Sequence, residues 1–189
     1  MYHQTKEDIS SDLQAMEKAK QHPSAFRPIY ERHYKRIYLF VLNKVYDKDL
    51  AAEVSAQVFY KALEKVGSFR DTGVPVTAWL YRIALNECTD FFRKTSKNRY
   101  VVLDDLFANF LKEEMEVEGS LEEEWMDALK EALSQLPEEK LQLIEMRFYE
   151  GKSFREIGEI LDISESNAKV RTYRLLEWMK GSVLKSKKS

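Results

Sequence analysis

The stretch that decides the fold is Ser153–Lys180, which reads SFREIGEILDISESNAKVRTYRLLEWMK. Ser153 and Ser164 each stand where an N-cap is expected, the first before a short apolar-periodic segment and the second before a longer one. Gly158 is small at a point where two helices have to cross closely. This pattern predicts a helix-turn-helix.

The second helix of this motif separates into an apolar face and a polar face. Ala168, Thr172, Leu175 and Met179 recur at intervals of four, three and four residues, which predicts one buried stripe. Residues 152–188 hold nine Lys or Arg against five acids, a net charge of +4, whereas the whole chain carries −2. We therefore predict that this segment binds duplex DNA, and the alternative is a helical hairpin whose basic face is only solvated. The opposite face carries side chains suited to phosphates and base edges in a major groove: Ser166, Asn167, Lys169, Val170, Arg171, Tyr173 and Arg174.

Composition excludes several other classes of protein. The 189 residues include only six Gly and four Pro, few for a β-sandwich or barrel. The single cysteine, Cys88, cannot form an internal disulfide or a cysteine-only zinc site, and we expect it in the core. No apolar run approaches the roughly 20 residues of a membrane span, and the N-terminus lacks the apolar centre of a signal peptide. We expect a soluble, cytoplasmic, all-α protein with no direct membrane insertion.

Periodicity and charge divide the chain into segments. A narrow apolar stripe predicts a helix before Pro23, and stronger stripes after it predict a helical bundle. Residues 104–124 contain nine acids and one basic residue, Lys112, and such a run of like charge favours an extended linker with a short helix through Leu103–Leu111. The alternative for this segment is a surface helix that is only solvated. The predicted segments are an N-terminal helical extension (1–22), a first helical domain (23–97), an acidic linker (98–122), a second helical domain (123–183) and a basic tail (184–189).

Two of these segments resemble regions of one protein family. DKDLAAEVSAQVFYKALEKV (47–66), the loop SFRDTGVPVT (68–77) and AWLYRIALNECTDFFRK (78–94) resemble region two of bacterial sigma-70-family RNA polymerase sigma factors. Residues 136–176, LPEEKLQLIEMRFYEGKSFREIGEILDISESNAKVRTYRLL, resemble region four. With only these two regions and an acidic segment between them, the chain is similar to the extracytoplasmic-function (ECF) group. The resemblance implies an all-α protein of two small helical domains, a region-two bundle and a region-four helix-turn-helix, joined by an acidic linker.

The resemblance implies a polymerase-binding role for the helix around AAEVSAQVF (51–59). In the family this helix docks on the clamp-helix coiled coil of the β′ subunit of core RNA polymerase. Asp49 and Glu53 are the candidates for charged contacts, because a positive partner surface would steer binding. The alternative is a helix face that is only solvated. The candidate core-binding residues are Asp49, Glu53, Val54, Gln57 and Phe59.

By the same resemblance, the helix that begins near Trp79 reads and melts the promoter −10 region. Trp79 itself is expected to pack in the protein rather than to stack on a base. The loop 69–77 is where the family places a pocket for a flipped base, and melting requires that an unstacked base be held. The candidate −10 residues supply charges for phosphates and an amide for base edges: Arg70, Thr72, Arg82, Asn86, Asp90, Arg93 and Lys94.

The resemblance also implies that the last helix reads the promoter −35 element in the major groove. Lys169, Arg171 and Arg174 are the central candidates, and Ser164 and Ser166 would present backbone N–H groups to phosphate at the helix N-terminus. Val170 stands where the family often has a serine, which favours an apolar contact such as a thymine methyl. The candidate −35 residues are Arg155, Ser164, Ser166, Asn167, Lys169, Val170, Arg171, Tyr173 and Arg174.

Catalysis, metal binding and cofactor binding are not expected. His3, His22 and His33 have no spacing typical of a metal site or a nucleophile–base pair, and there is no Gly-rich phosphate loop. His33 is expected on the surface, since it lies among Arg32, Tyr34 and Lys35 in the sequence.

The implied partners are core RNA polymerase through its β′ and β subunits, promoter DNA and an anti-sigma factor. The acidic linker would follow the positively charged RNA exit path of the polymerase. The main alternative is a stand-alone helix-turn-helix regulator whose first bundle senses a ligand or dimerises, and a protein-interaction adaptor is the third hypothesis. The N-terminal helix lies outside the resemblance and receives no role.

Overall fold

The computed structural model describes residues 5–95, 105–116 and 123–186. Within those ranges all regular structure is helical, which confirms the all-α prediction. The contacts divide the chain into two compact units, one from Met1 to Tyr100 and one that covers most of Val101–Ser189. The helices are α1 Lys6–Ala19, α2 Arg27–Val45, α3 Lys48–Glu64, α4 Val76–Thr95, α5 Asp105–Glu114, α6 Glu123–Ser134, α7 Glu138–Ile144, α8 Phe154–Leu161 and α9 Glu165–Ser186.

Two helices of the first unit, α1 and α3, begin at caps encoded by neighbouring residues. Thr5 and Asp8 form a capping box at the start of α1, and the Thr5 hydroxyl and backbone N–H lower the pKa of the Asp8 carboxyl. The Asp47 carboxylate accepts a hydrogen bond from the Leu50 N–H (2.9 Å) and so begins α3. Immediately before it, Tyr46 takes a left-handed conformation (φ 54°) and ends α2. α2 and α3, which pack against each other, therefore follow one another with almost no loop.

α2 is the central helix of the first unit and packs against both α3 and α4. Its buried stripe includes Ile29, Ile37 and Val41, all without exposed surface. Cys88 of α4 is buried as predicted. A hydrogen-bonded ion pair between Lys61 of α3 and Glu87 of α4 (2.6 Å) joins the other two helices at the edge of this core.

His33 does not lie on the surface, and that expectation was wrong. Its ring is 2% exposed and its Nε2 lies 2.7 Å from a carboxylate oxygen of Asp12, which belongs to α1 and is itself fully buried. Arg32 bonds the other oxygen of the same carboxylate. The polar sequence around His33 is compatible with burial only because α1 supplies a buried acid as its partner.

The second unit is built around Trp125, Leu129 and Leu133 of α6, which are fully buried. α6 and α7 both pack on α9. α7 passes directly into a π-helical segment, Glu145–Tyr149, and Gly151 then adopts a positive φ of 64°. Gly151 therefore follows the end of this helical run, which is not a continuous α-helix.

Part of the expected linker belongs to the second unit. α5 confirms the predicted short helix, and Phe107 and Leu111 on it are buried. The Phe107 ring meets the ring of Tyr149 edge-on, with centroids 5.6 Å apart. Burial of this apolar face of α5 therefore stabilises a helix in a segment whose run of acidic residues predicted an extended chain. Residues 98–104 and 117–122 of the predicted linker, which include Leu103, lie outside the described residues. The same holds for residues 1–4 of the predicted N-terminal extension, for 96–97 of the predicted first domain and for 187–189 of the predicted tail.

Candidate polymerase and DNA interfaces

The exposed face of α3 carries three of the predicted polymerase-binding residues. Asp49, Glu53 and Gln57 are all exposed and follow each other at one-turn intervals, so they form one polar stripe. Tyr60, 57% exposed, extends the stripe. A hydrogen bond to the Glu64 carboxylate raises the pKa of the Tyr60 hydroxyl, because that bond favours the protonated phenol.

Val54 and Phe59 do not lie on this surface. They are 8% and 4% exposed, and the Phe59 ring packs against the rings of Phe26 and Tyr30 at centroid distances of 6.5 and 5.1 Å. Their predicted place in a surface contact is therefore corrected, because both side chains are buried and the Phe59 ring packs against α2 through Tyr30. They lie on the buried side of α3, away from the exposed stripe of Asp49, Glu53 and Gln57.

The loop between α3 and α4 is anchored at both ends and exposed between them. Phe69 and Val74 are 4% and 8% exposed, while Arg70 and Thr72 between them are exposed. The Asp71 carboxylate accepts a hydrogen bond from the Gly73 N–H (2.8 Å), which closes a tight turn. The loop thus presents two predicted −10 residues on a short, braced segment.

Trp79 packs against this loop, as expected. Its half-exposed ring meets the Phe69 ring edge-on at a centroid distance of 5.4 Å. Beyond it, Asn86 and Lys94 of α4 are exposed, whereas Arg82 is half-buried. The α4 residues that complete the predicted −10 set, Asp90 and Arg93, form an ion pair at 2.9 Å, so these two charges neutralise each other.

The helix-turn-helix is present and its turn is tightly fixed. Ser153 and Glu156 form a capping box that begins α8. Asp162 ends α8 in a left-handed conformation, and the Ile163 N–H donates to the Gly158 carbonyl (3.0 Å). The Ser164 hydroxyl then accepts from the Asn167 N–H (3.2 Å) and caps α9, as the sequence predicted.

α9 buries the predicted stripe and exposes the predicted recognition face. Ala168, Thr172 and Met179 are fully buried, and Leu175 is 6% exposed. Every predicted −35 residue is exposed except Asn167, which is half-buried: Arg155, Ser164, Ser166, Lys169, Val170, Arg171, Tyr173 and Arg174.

The exposed residues of α9 form two neighbouring stripes. Ser166, Val170 and Tyr173 lie on one, since they are spaced by four and three residues. Arg171 and Arg174 lie on the other, where they line a groove of about 460 Å³ between α9 and α7 together with Trp178. The two arginines therefore border this groove, whereas Lys169 belongs with the first stripe.

Sequence reasoning missed a side-chain stack that reaches this recognition face. The Arg147 guanidinium lies 4.7 Å from the ring centroid of Phe154, the first residue of α8, and donates a hydrogen bond to the Lys152 carbonyl (3.1 Å). The Phe154 ring contacts the ring of Tyr173 at 5.9 Å. The capping box at Ser153 could have predicted that Phe154 is the first residue of α8. No pattern in the sequence predicts the π-helical turn that contains Arg147.

The described residues contain no group of three His, Cys, Asp or Glu side chains that would hold a metal ion. Within the described ranges, no helix is both long enough and apolar enough to cross a membrane. The chemistry available at the described surfaces is that of charged, amide, hydroxyl and aromatic groups.

Comparison with known proteins assigns the two units to one family. Residues 29–98 match the family described as Sigma-70 region 2, and residues 126–179 match Sigma-70, region 4. The RNA polymerase sigma factor SigV of Bacillus subtilis (strain 168) is 31% identical over 149 residues, which cover 78% of this chain and 84% of SigV. The ECF RNA polymerase sigma factor SigM of the same strain is 25% identical over 152 residues, which cover 80% of this chain and 91% of SigM.

Two further proteins extend the comparison. The ECF RNA polymerase sigma factor BldN of Streptomyces coelicolor (strain ATCC BAA-471 / A3(2) / M145) is 28% identical over 151 residues, and the match spans 79% of this chain but 57% of BldN. The solved structure of CnrH in complex with the cytosolic domain of CnrY shares the fold, with a TM-score of 0.59, 19% identity and coverage of 93% of this chain and 97% of that one. The chain therefore belongs to the sigma-70 family of RNA polymerase sigma factors, in its ECF group, whose members are DNA-binding factors of transcription initiation.

Proposed function

We propose that this sigma factor directs core RNA polymerase to promoters through three separate surfaces. The α3 stripe of Asp49, Glu53 and Gln57 contacts the polymerase. The 69–75 loop and the polar face of α4 hold the −10 region as it opens. The exposed face of α9 reads the −35 element as duplex.

The observation that carries this proposal is the division of each helix into a buried and an exposed face. In α9 the residues needed for packing and those suited to DNA fall on opposite sides, so DNA contact requires no unfolding. α3 divides in the same way, with an acidic stripe opposite its buried residues. Acidic side chains at that place suit a positively charged protein surface and not DNA, which separates polymerase binding from promoter binding.

The charge of the chain supports a dependence on polymerase. With an overall charge of −2 and a net +4 over residues 152–188, the second unit neutralises few phosphates, and its affinity for duplex alone is expected to be weak. When polymerase holds both units, binding of one element raises the effective concentration of the other unit at its own element. Promoter specificity then comes from two weak contacts made together.

The remaining partners follow from the same proposal. We propose a cytoplasmic, non-catalytic factor that is held inactive by an anti-sigma factor, since the structural neighbour CnrH was solved in complex with a domain of CnrY. The acidic segment between the two units would follow the positively charged RNA exit path of the polymerase. We propose the same domain boundaries as in the sequence analysis, and the family matches over residues 29–98 and 126–179 support them.

The first experiment is co-purification of the chain with bacterial core RNA polymerase. Glu53→Lys is expected to weaken binding at least about tenfold, because it places like charge against a positive surface. Glu31→Lys is the matched control: it makes the same charge change at an exposed residue of α2 whose ion-pair partner, Arg27, is 80% exposed. Equal binding of both variants would contradict the α3 assignment.

A second experiment tests the two DNA surfaces. The reconstituted holoenzyme selects promoters from a library in which the −35 and −10 blocks are randomised, and the selected sequences are read. Lys169→Gln is expected to weaken preference only in the upstream block, and Asn86→Ala only in the downstream block. Tight binding of the chain to a duplex without any binding to core would instead establish a stand-alone regulator.

A further inference from the structure

The N-terminal helix α1 lies outside the residues that match region 2, which begin at position 29. It is nevertheless packed into the first unit, where it contacts α2, α4 and the short 3-10 turn Val66–Ser68. That turn runs directly into the loop that begins at Phe69. We infer that α1 positions this loop for recognition of the −10 element, an inference that rests on the proposed function of the loop.

α1 is fastened to the bundle by a buried charge cluster. The fully buried Asp12 carboxylate meets His33 at 2.7 Å through one oxygen and Arg32 through the other. Arg32 also donates to the Asp8 carbonyl (3.3 Å), one turn earlier on α1. A carboxylate buried among partners of this kind is costly to leave unpaired, so the cluster fixes both the position and the register of α1 on α2.

The C-cap residue of α1, Lys20, reaches the loop itself. The Lys20 ammonium lies 6.0 Å from the centroid of the Phe69 ring, within the range of a cation–π contact. Glu17 holds the same ammonium at 2.6 Å. Phe69 is 4% exposed and also contacts Trp79 of α4, so its ring is held by one helix that region 2 includes and by one that it does not.

The held ring sits next to the exposed residues that the proposed function assigns to DNA. Arg70 follows Phe69 directly, and the loop closes at Val74, which is buried. A loop braced at both ends loses little conformational freedom when it captures an extruded base, and it holds its side chains in one geometry. Release of Phe69 by α1 would free the upstream end of the loop and lower its discrimination between bases.

The test compares Lys20→Met with Lys18→Met, which removes an exposed ammonium from the same turn of α1. The −10 sequence is first selected by the wild-type holoenzyme. Each holoenzyme is then titrated with the single-stranded −10 oligonucleotide and with versions that carry one base change, and the ratio of the two affinities is recorded. Lys20→Met is expected to lower this ratio about two- to fivefold, and Lys18→Met to leave it unchanged.

The ratio separates positioning from stability. A variant that only unfolds part of the protein lowers the active fraction for every oligonucleotide alike and leaves the ratio unchanged. Asp12→Asn serves as the second variant, with hydrogen exchange of the α1 amides as the measure of release and Glu7→Gln, an exposed acid of α1, as its control. Its ratio is expected to fall at least as far as that of Lys20→Met.

Two results would overturn the inference. One is an unchanged ratio for Lys20→Met, and the other is fast exchange of α1 in Asp12→Asn together with an unchanged ratio. Failure of the proposed function is distinct from both, since the wild-type chain would then select no −10 sequence with any core polymerase.

Discussion

Gly158 permits the close turn that sets the start of the recognition helix, and its replacement by alanine tests this directly. An added Cβ would lie 2.7 Å from the Ile163 carbonyl oxygen, 3.2 Å from the Glu165 nitrogen and 3.4 Å from the Ser164 carbonyl carbon. All three atoms belong to the backbone of the turn, so no side chain can swing aside to make room. The Ile163 N–H is moreover bonded to the Gly158 carbonyl, which limits how far the turn can retreat.

The magnitude follows from comparison with Gly181 of α9, where an added Cβ meets nothing within 4 Å. At Gly181, alanine gains helix propensity alone and is expected to stabilise by about 0.5–1 kcal/mol. At Gly158 the same gain is opposed by overpacking of about 1–3 kcal/mol. Gly158→Ala is therefore expected to be about 1–3 kcal/mol less stable than Gly181→Ala.

Hydrogen exchange of the α9 amides measures both variants with one probe, because it reports the free energy of opening of this part of the chain. The same displaced turn should weaken −35 binding by the Gly158→Ala holoenzyme while binding to core stays at the wild-type level. Equal protection of α9 in the two variants, with equal −35 binding, would refute the claim that the turn requires a glycine.

Three further predictions concern single contacts. Asp47→Ala should destabilise the start of α3 by about 1 kcal/mol because it removes the N-cap, whereas Asp49→Ala should not. Hydrogen exchange of the first turn of α3 distinguishes the two variants, and equal effects would contradict a capping role for Asp47. Phe154→Leu should weaken −35 binding because the Phe154 ring contacts the ring of Tyr173. A double-mutant cycle with Tyr173→Leu should give a coupling energy of about 0.5–1.5 kcal/mol, whereas additive effects would show that the ring contact does not contribute to −35 binding. Lys169→Gln should reduce the slope of log affinity for −35 DNA against log salt concentration by about 0.9, because its ammonium is expected to neutralise one phosphate. Val170→Thr should leave that slope unchanged and alter the sequence preference at one base pair.

The parts of the fold that the sequence predicted correctly are those fixed by neighbouring residues. Ser153 and Ser164 cap helices because each hydroxyl reaches the backbone N–H three residues later, a relation visible in any short window. The buried stripe of α9 is local in the same sense, since one helix with one apolar face has one way to pack. Such features are independent of what the rest of the chain does.

The misplaced residues show where local reasoning ends. His33 is buried because it bonds Asp12, which lies 21 positions earlier in the sequence. The acidic run around α5 contains a helix because Phe107 packs against Tyr149, more than 40 positions later. Val54 and Phe59 were a different kind of error. The resemblance pointed to α3 as a whole, but the period of the buried residues of α3 already placed these two side chains inside.

The residues predicted to face DNA illustrate a third limit, because exposure and chemical type do not fix which residues act together. Lys169, Arg171 and Arg174 were grouped by charge, yet Arg171 and Arg174 border the groove against α7 while Lys169 shares a stripe with Val170 and Tyr173. A helix in a major groove turns one arc toward the bases and its flanks toward the phosphates. If the Tyr173 stripe faces the bases, Arg171 and Arg174 contribute mainly salt-dependent affinity, and Val170 with Tyr173 contributes the selectivity. The charge that first pointed to DNA would then explain how tightly α9 binds, and its uncharged neighbours would explain which sequence it prefers.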